Sequence, residues 1–166
     1  SYTIETPTFA IPSTTKRGYI FSGWYSNPQY TGNPIAQITQ GTTGDITLYA
    51  KWTVEVYTIT YVANNGIIPS DAPKTYTIES GGVTLPIAAR VGYDFSGWYD
   101  TPEFSGNPIT MIAPNSIGDR TFYAKWTPKI YTITYILNGG TLPAGAPTTY
   151  TIESPTIYLP IPTRTA

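Results

Sequence analysis

Gly-Tyr-Ile-Phe-Ser-Gly-Trp-Tyr at residues 18–25 returns as Gly-Tyr-Asp-Phe-Ser-Gly-Trp-Tyr at residues 92–99. The two copies lie 92 − 18 = 74 residues apart. Other segments keep this offset without a gap, among them Tyr-Ala-Lys-Trp-Thr at 49–53 and at 123–127. Self-similarity at a fixed spacing is typical of tandem arrays, so we predict small similar modules that follow one another along the chain.

The composition favours strands over helices. Tyrosine (15 residues) is three times as frequent as phenylalanine (5), and threonine is abundant, while 15 glycines and 16 prolines interrupt the short apolar runs. Aromatic and β-branched residues prefer pleated strands, and glycine and proline prefer the turns between them. We therefore predict a mostly β fold with short helical turns at most, one of them around residues 35–38.

The missing residue types exclude several kinds of chemistry. Cysteine and histidine are both absent, which removes disulfides, thiol catalysis and the commonest metal ligand and general base. The net charge is −1 and only 11% of residues are charged, so no basic stripe suggests a nucleic-acid partner. No apolar run is long enough to insert into a membrane. We expect no cofactor and no metal.

Residues 19–25 and 93–99 are predicted strands with a glycine in the middle, Gly23 or Gly97. A glycine inside a strand indicates a bulge or room for a large ring from a neighbour. Residues 46–52 form a further predicted strand whose alternate side chains face the core. Four tryptophans are predicted to be structural core residues: Trp24, Trp52, Trp98 and Trp126.

Polar loops follow the glycine-containing strands, at residues 26–44 and 100–118, and carry aromatic residues. Exposed rings next to amides could stack on sugars, and packing against a small core is the simpler interpretation. The residues that would contact such a ligand are Tyr25, Tyr30, Tyr99 and Phe104.

Carboxylates are the remaining candidates for acid–base chemistry. Those shared between copies are Glu5, Glu79 and Glu153, together with Asp45 and Asp119. A glycosidase needs two carboxyls facing each other across a cleft, and a calcium site needs several clustered oxygens. A glutamate that ends a strand and an aspartate that opens one are better explained as turn residues. We therefore predict that the chain is not an enzyme.

Taken together, the run Tyr-Thr-Ile-Thr-Tyr…Asn-Gly-Gly…Leu-Pro…Gly-Tyr-Xaa-Phe-Ser-Gly-Trp-Tyr…Tyr-Ala-Lys-Trp resembles the Listeria–Bacteroides repeat of internalin-type surface proteins. The resemblance covers essentially the whole chain. It implies a small β-grasp-like module, strung in tandem in a secreted or cell-wall-attached bacterial protein, with no catalytic residues. On the family's phasing, residues 1–53 form a copy without its first strand, 54–127 a complete copy, and 128–166 the first part of a third. Counting from residue 1 instead gives two full periods, 1–74 and 75–148, followed by a tail, and the sequence leaves both phasings open.

These features predict a stalk or spacer in an adhesin or another bacterial surface protein. We expect an extracellular, surface-attached location, with export and attachment signals outside this segment. One alternative is a module that binds a glycan or a host protein through the loops at 26–44 and 100–118. Another is head-to-tail self-association, in which a strand at one end completes the sheet at the other. Neighbouring repeats of the same protein are the expected partners in every case.

Overall fold

The computed structural model describes residues 1–164, and this part of the chain contains strands and no helix. The strands in chain order are β1 Phe9–Ala10, β2 Tyr19–Tyr25, β3 Gln37–Ile38, β4 Tyr49–Val54, β5 Tyr57–Val62, β6 Thr75–Tyr76, β7 Val83–Thr84, β8 Tyr93–Tyr99, β9 Met111–Ile112, β10 Arg120–Pro128, β11 Tyr131–Thr132 and β12 Thr149–Tyr150. The predicted mostly β fold is confirmed.

The predicted helical turn around residues 35–38 is wrong. The Ile35 N–H donates to the Trp24 carbonyl at 2.7 Å, which ties this segment to β2. Residues 37–38 then form β3, which pairs antiparallel with β1. Hydrogen bonds to distant segments replace the local i to i+4 bonds that a helical turn would make.

The largest sheet has the strand order β6-β5-β10-β8. Strands β5 and β6 are antiparallel, as are β10 and β8, whereas β5 and β10 run parallel. The parallel register pairs Arg120 with Ile59 and continues to Tyr123 with Val62. This pairing joins strands that are far apart in sequence, with β6 to β9 between them.

The chain divides into two compact units that interleave along the sequence. The first contains residues 1–58, 75–83 and 113–119, and the second contains 59–74, 84–112 and the residues from 120 onward. Buried apolar side chains of the first unit are Tyr25, Ile38, Tyr57 and Tyr76. Those of the second unit are Ile59, Leu85, Ala88, Trp98, Tyr99, Ile112, Phe122 and Ala124.

The glycine in the middle of each long strand forms a β-bulge, as predicted. The register between β2 and β4 shifts between Phe21 and Gly23, and both Gly23 and Gly97 have φ of +119°. A Cβ at these positions would lie 2.8 Å from the Pro34 Cβ or 2.5 Å from the Pro108 Cβ. The group that needs the space is therefore a proline from the following loop and not an aromatic ring.

Strands β4 and β10 have nearly the same sequence but different lengths. β10 begins at Arg120, whereas the equivalent residues 46–48 lie outside β4, which begins at Tyr49. The extra residues of β10 are those that pair with β5. In residues 1–164, β4 pairs with β2 alone. The three additional residues are therefore strand where β5 pairs with them and lie outside the strand where no partner does.

Strands β11 and β12 form a small antiparallel sheet that pairs Tyr131 with Tyr150 and Thr132 with Thr149. The two tyrosine rings stack, with centroids 5.2 Å apart and planes inclined by 28°. Tyr57 and Tyr76 are paired in the same way between β5 and β6.

Candidate functional site

The loop after β2 is held by the side chain of Asn27. Its Oδ1 accepts hydrogen bonds from the backbone N–H groups of Gln29 and Thr31, each at 3.2 Å, and from the Thr31 hydroxyl at 3.1 Å. These bonds close a tight turn in which Tyr30 takes a φ of +54°. The equivalent Phe104 has a φ of +55°. Both loops therefore present an aromatic ring from a left-handed residue.

Each of these rings packs edge-on against the last tyrosine of the preceding strand. Tyr30 lies 5.7 Å from Tyr25 at an interplanar angle of 78°, and Phe104 lies 5.6 Å from Tyr99 at 75°. Tyr25 and Tyr99 are 8% and 6% exposed, Tyr30 is 39% exposed, and Phe104 is half-buried. The structure brings the four predicted contact residues together as two pairs, in which only the loop member is accessible.

A lysine that the sequence reasoning did not connect with these rings lies over each pair. Lys51 Nζ is 5.3 Å from the Tyr25 ring centroid and 5.9 Å from that of Tyr30. Lys125 Nζ lies at 5.3 Å from Tyr99 and 5.8 Å from Phe104. A cation over an aromatic face is attracted by the ring quadrupole. Both lysines belong to the recurring Tyr-Ala-Lys-Trp motif, and this recurrence is the sequence feature that could have indicated a shared role.

In the second unit this cluster borders a shallow groove of about 490 Å³. Phe104, Lys125, Asn64, Arg90 and Trp126 contribute to its lining. The groove combines aromatic rings, two cations and an amide, which are groups that stack on a sugar face and hydrogen-bond to hydroxyls. Asn64 Nδ2 already donates to the Ala124 carbonyl at 2.8 Å.

The four tryptophans have different environments. Trp98 is 1% exposed, and its indole N–H donates to the Pro86 carbonyl at 2.6 Å. Trp24 makes the equivalent bond to Pro12 at 2.8 Å but is half-buried. Trp126 and Trp52 are also half-buried. Phe95 fills the space between Trp98 and Trp126, with ring centroids 5.4 and 5.3 Å away.

The shared carboxylates mostly accept hydrogen bonds within the fold. Asp119 Oδ1 accepts from the Thr58 N–H at 2.7 Å. Glu79 Oε1 accepts from the Tyr19 hydroxyl at 2.5 Å, and Glu153 Oε1 accepts from the Tyr93 hydroxyl at 2.8 Å. Within residues 1–164, no three acidic side chains converge where they could hold a metal ion.

The two tyrosine–glutamate bonds belong to a contact that we call the clasp, formed by a Gly-Tyr pair and an Ile-Glu pair sixty residues further on. In one clasp, a Cβ on Gly18 would lie 2.8 Å from the Ile78 Cβ. In the other, a Cβ on Gly92 would lie 2.7 Å from Ile152 Cδ1. Each isoleucine therefore packs directly on a glycine backbone, which no larger residue could allow.

Electrostatics reinforce the clasp. The hydrogen bond to Glu79 is the largest of the effects that raise the pKa of Tyr19, and Glu153 raises the pKa of Tyr93 in the same way. The glycine of each clasp also accepts one backbone hydrogen bond. The Glu55 N–H donates to the Gly18 carbonyl at 3.0 Å, and the Lys129 N–H donates to the Gly92 carbonyl at 2.9 Å. Sequence reasoning assigned the glutamates to turns and did not find this contact.

Each clasp lies inside one compact unit, Tyr19 with Glu79 in the first and Tyr93 with Glu153 in the second, and the two clasps are 74 residues apart in sequence. Small β elements whose contacts recur at the spacing of the sequence motifs are typical of a repeat protein. The chain belongs to the Listeria-Bacteroides repeat family, whose model matches residues 1–51 and 57–125.

Relatives with this similarity include two proteins of Evansella cellulosilytica. The chain is 32% identical over 131 residues to a "Putative Gly-rich membrane protein" and 32% identical over 126 residues to a "Putative membrane protein". Each alignment covers 75% of this chain. Internalin H of Listeria monocytogenes is 29% identical over 114 residues, which is 68% of this chain.

The chain spans 14%, 18% and 20% of the length of these three relatives, respectively. No solved structure matches it. No helix in residues 1–164 has the length and hydrophobicity that crossing a bilayer requires.

Proposed function

We propose that this chain is a non-enzymatic stalk or spacer segment of a bacterial surface protein. The recurrence of the clasp supports this role most directly. Tyr19 with Glu79 and Tyr93 with Glu153 form the same hydrogen bond across the same sequence separation of 60 residues. A contact that recurs at a fixed spacing holds distant parts of the sequence together in the same way each time, which suits a segment built by repetition.

Short connections between strands also support the spacer role. Only Glu55 and Val56 separate β4 from β5, and two residues likewise separate β10 from β11. Such links are too short to behave as flexible coils. The sheet order, with its parallel central pair β5 and β10 flanked by antiparallel strands, supports the β-grasp-like description of the module.

The family and the printed names of the relatives support an extracellular, surface-attached location. Internalin H shares the repeat, and the two Evansella relatives are named as membrane proteins. In this role, the chain would project an adhesive domain away from the envelope, and its own partners would be the neighbouring repeats.

Replacement in the parent protein tests the spacer role. One variant lacks residues 1–164, and a second carries an unrelated, rigid β module of equal length at the same place. A spacer predicts that deletion reduces antibody access to an epitope tag on the outermost domain, and that the unrelated module restores it. If the unrelated module does not restore antibody access and the native chain does, the spacer role is wrong and a specific binding role explains the result.

A glycan or host-protein site is the second candidate, favoured by the groove beside Phe104 and by the exposed ring of Tyr30. Binding on a glycan array or to matrix proteins should then disappear in a double variant, Tyr30→Ala with Phe104→Ala. Tyr158→Ala is the matched control, because Tyr158 is 86% exposed and lies outside both loops. Equal binding by the double variant and the control would exclude these loops as the site.

A further inference from the structure

Two basic side chains, Arg90 and Lys125, line the groove beside Phe104 in the second unit. Among the described residues, the lining of this groove includes no aspartate or glutamate. Arg90 and Lys125 are both half-buried, and neither forms an ion pair within residues 1–164. Removing part of the hydration of a charge costs free energy unless an opposite charge or a hydrogen bond compensates. An anion bound in the groove would supply that compensation to both side chains.

The fold fixes the position of Arg90. Its neighbour Ala89 exchanges two backbone hydrogen bonds with Ile67, at 2.7 and 3.0 Å, and the Arg90 carbonyl accepts from the Tyr93 N–H at 3.1 Å. The guanidinium carbon lies 3.7 Å from the centroid of the Tyr93 ring. Glu153 accepts from the hydroxyl of that tyrosine and forms no ion pair with Arg90 in the described part of the chain. A guanidinium that packs on a ring through its face keeps N–H donors at its edge, where they match the two oxygens of a carboxylate.

Lys125 and Phe104 are also held in place. Lys125 lies in the middle of β10, where it pairs with Gly97 of β8. Phe104 has a φ of +55° and packs edge-on against Tyr99, with ring centroids 5.6 Å apart. The Lys125 Nζ is 5.8 Å from the centroid of the Phe104 ring. A sugar that stacks on Phe104 therefore has an ammonium group close to its substituents.

Basic residues recur at both positions of this arrangement. The 74-residue offset relates the members of each set, which are Lys16, Arg90 and Arg164 at one position and Lys51 and Lys125 at the other. Five of the nine lysines and arginines of the chain thus occupy two positions of the repeat. Other positions do not keep their charge, since Lys129 corresponds to Glu55. This difference indicates that the cations are needed at these two positions and not only for the overall charge.

The backbone beside the groove offers no open strand edge. β10 is paired on both sides, with β5 and with β8. Beyond the end of β5, Asn64 Nδ2 donates to the Ala124 carbonyl at 2.8 Å. Trp126 Nε1 likewise donates to the Ala63 carbonyl at 2.9 Å. A peptide that binds by strand addition needs free backbone donors and acceptors, so this groove suits a ligand that is recognised through its rings and substituents.

We propose that this groove binds an acidic oligosaccharide, in which a sugar ring stacks on Phe104 and a carboxylate pairs with Arg90 and Lys125. The inference rests on the second candidate function above, a glycan site, and names the class of glycan. The volume of about 490 Å³ is within the range of small-ligand sites. The Asn64 amide, whose nitrogen is engaged by Ala124, retains an oxygen that can accept from a sugar hydroxyl.

A matched pair of ligands isolates the contribution of the carboxylate. One ligand is an oligogalacturonate, and the other is the same oligosaccharide after chemical reduction of each carboxyl to a hydroxymethyl group. Isothermal titration calorimetry with the whole chain measures the affinity for each. The wild type should bind the acid about tenfold more tightly or better, because charge-assisted hydrogen bonds are about twice as strong as neutral ones. This comparison does not depend on the folding of any variant.

Three variants then locate the binding site. Arg90→Gln and Lys125→Gln each remove one positive charge from the groove and should lose most of the preference for the acid. Lys129→Gln is the matched control, because it makes the same change in net charge at an exposed side chain outside the groove. Phe104→Leu should weaken binding of both ligands, since the stacking ring is lost. Thermal melts confirm that each variant is folded before titration.

The outcomes separate this inference from the glycan candidate on which it rests. Equal affinity of the wild type for the acid and its reduced form would overturn the inference and leave the glycan candidate standing. Binding of neither ligand would exclude both. A preference for the acid that survives in Arg90→Gln and Lys125→Gln would show that the groove is not the site. An oligoglutamate that binds as tightly as an oligogalacturonate with the same number of carboxylates would show that charge alone is recognised, against a sugar site.

Discussion

The Tyr19 hydroxyl donates to Glu79 Oε1 at 2.5 Å, although the two residues are 60 positions apart. Tyr93 and Glu153 repeat the bond at 2.8 Å with the same separation. Other hydrogen bonds also come in pairs of equal separation, among them those of Trp24 and Trp98 and those of Ser22 and Ser96. The clasp differs from these because it joins residues 60 positions apart, whereas they join residues 12 or 31 positions apart.

Removing the clasp hydroxyl should weaken the fold modestly. Tyr19→Phe is expected to lower the free energy of unfolding slightly, because the lost hydrogen bond is exposed to solvent and water replaces it in part. Glu79→Gln should have a smaller effect, because the amide oxygen still accepts the bond. Urea denaturation measures both, with Tyr158→Phe as an exposed control. Equal stability of Tyr19→Phe and the control would show that the bond contributes nothing.

Glycine at the clasp should tolerate no side chain. Gly18→Ala forces an L-residue to a φ of +76° and places its Cβ against Ile78. Gly32→Ala is the matched control, since Gly32 has a φ of +82° with open space around it. The control isolates the left-handed strain, about 1–2 kcal/mol. Thermal unfolding of Gly18→Ala should show a distinctly larger loss, and equal losses would mean that the Gly–Ile contact adds no stability.

Tyr61 carries a buried hydroxyl that has no hydrogen-bond partner among residues 1–164. Its ring packs on Trp98 at 5.0 Å. Because an unsatisfied buried hydroxyl is costly, Tyr61→Phe should raise the free energy of unfolding at neutral pH by about 1 kcal/mol. Tyr135→Phe is the contrast, since the Tyr135 hydroxyl donates to the Pro147 carbonyl at 2.8 Å. A loss of stability in Tyr61→Phe would contradict the assignment.

The same residue gives a dependence on alkaline pH. Burial raises the pKa of Tyr61 from 10.0 to about 12 in the folded protein. The unfolded chain therefore loses the Tyr61 proton at a lower pH than the folded protein does. Below pH 10 this difference does not change the free energy of unfolding, which then falls as pH rises towards 12. Denaturation at a series of pH values should show a steeper alkaline decline for the wild type than for Tyr61→Phe. Parallel curves would show that another group controls the decline.

The two equivalent tryptophans Trp98 and Trp24 should differ in their importance. Trp98 is 1% exposed, so Trp98→Ala is expected to cost about 3–5 kcal/mol, close to the whole stability of a small module. Trp24→Ala should cost less, because that side chain is half-buried although it makes the same bond to a proline carbonyl. Circular dichroism melts measure both. If both variants lose the same free energy of unfolding, burial of the ring is not the main contribution of these tryptophans to stability.

The sequence predicted only part of the candidate sites. It grouped Tyr25 with Tyr30 and Tyr99 with Phe104 because these residues are close along the chain, and the structure pairs them. It did not place Lys51 over the rings or Glu79 on Tyr19, since those contacts depend on strand pairing and on the fold between distant segments. Tyr19 and Glu79 are 60 residues apart, and nothing in the local sequence around either residue indicates that they are in contact.

The recurring motifs, the mostly β character, the bulge at Gly23 and Gly97 and the family could be predicted from the sequence, because each depends on local residue type or on identity at a fixed offset. The ends of the strands could not, because they depend on the fold. Tyr-Ala-Lys-Trp-Thr lies in a nine-residue strand in β10 and in a six-residue strand in β4. The physical reason is that a strand's hydrogen bonds are made to another segment, so its extent depends on whether β5 or an equivalent strand is there to receive them.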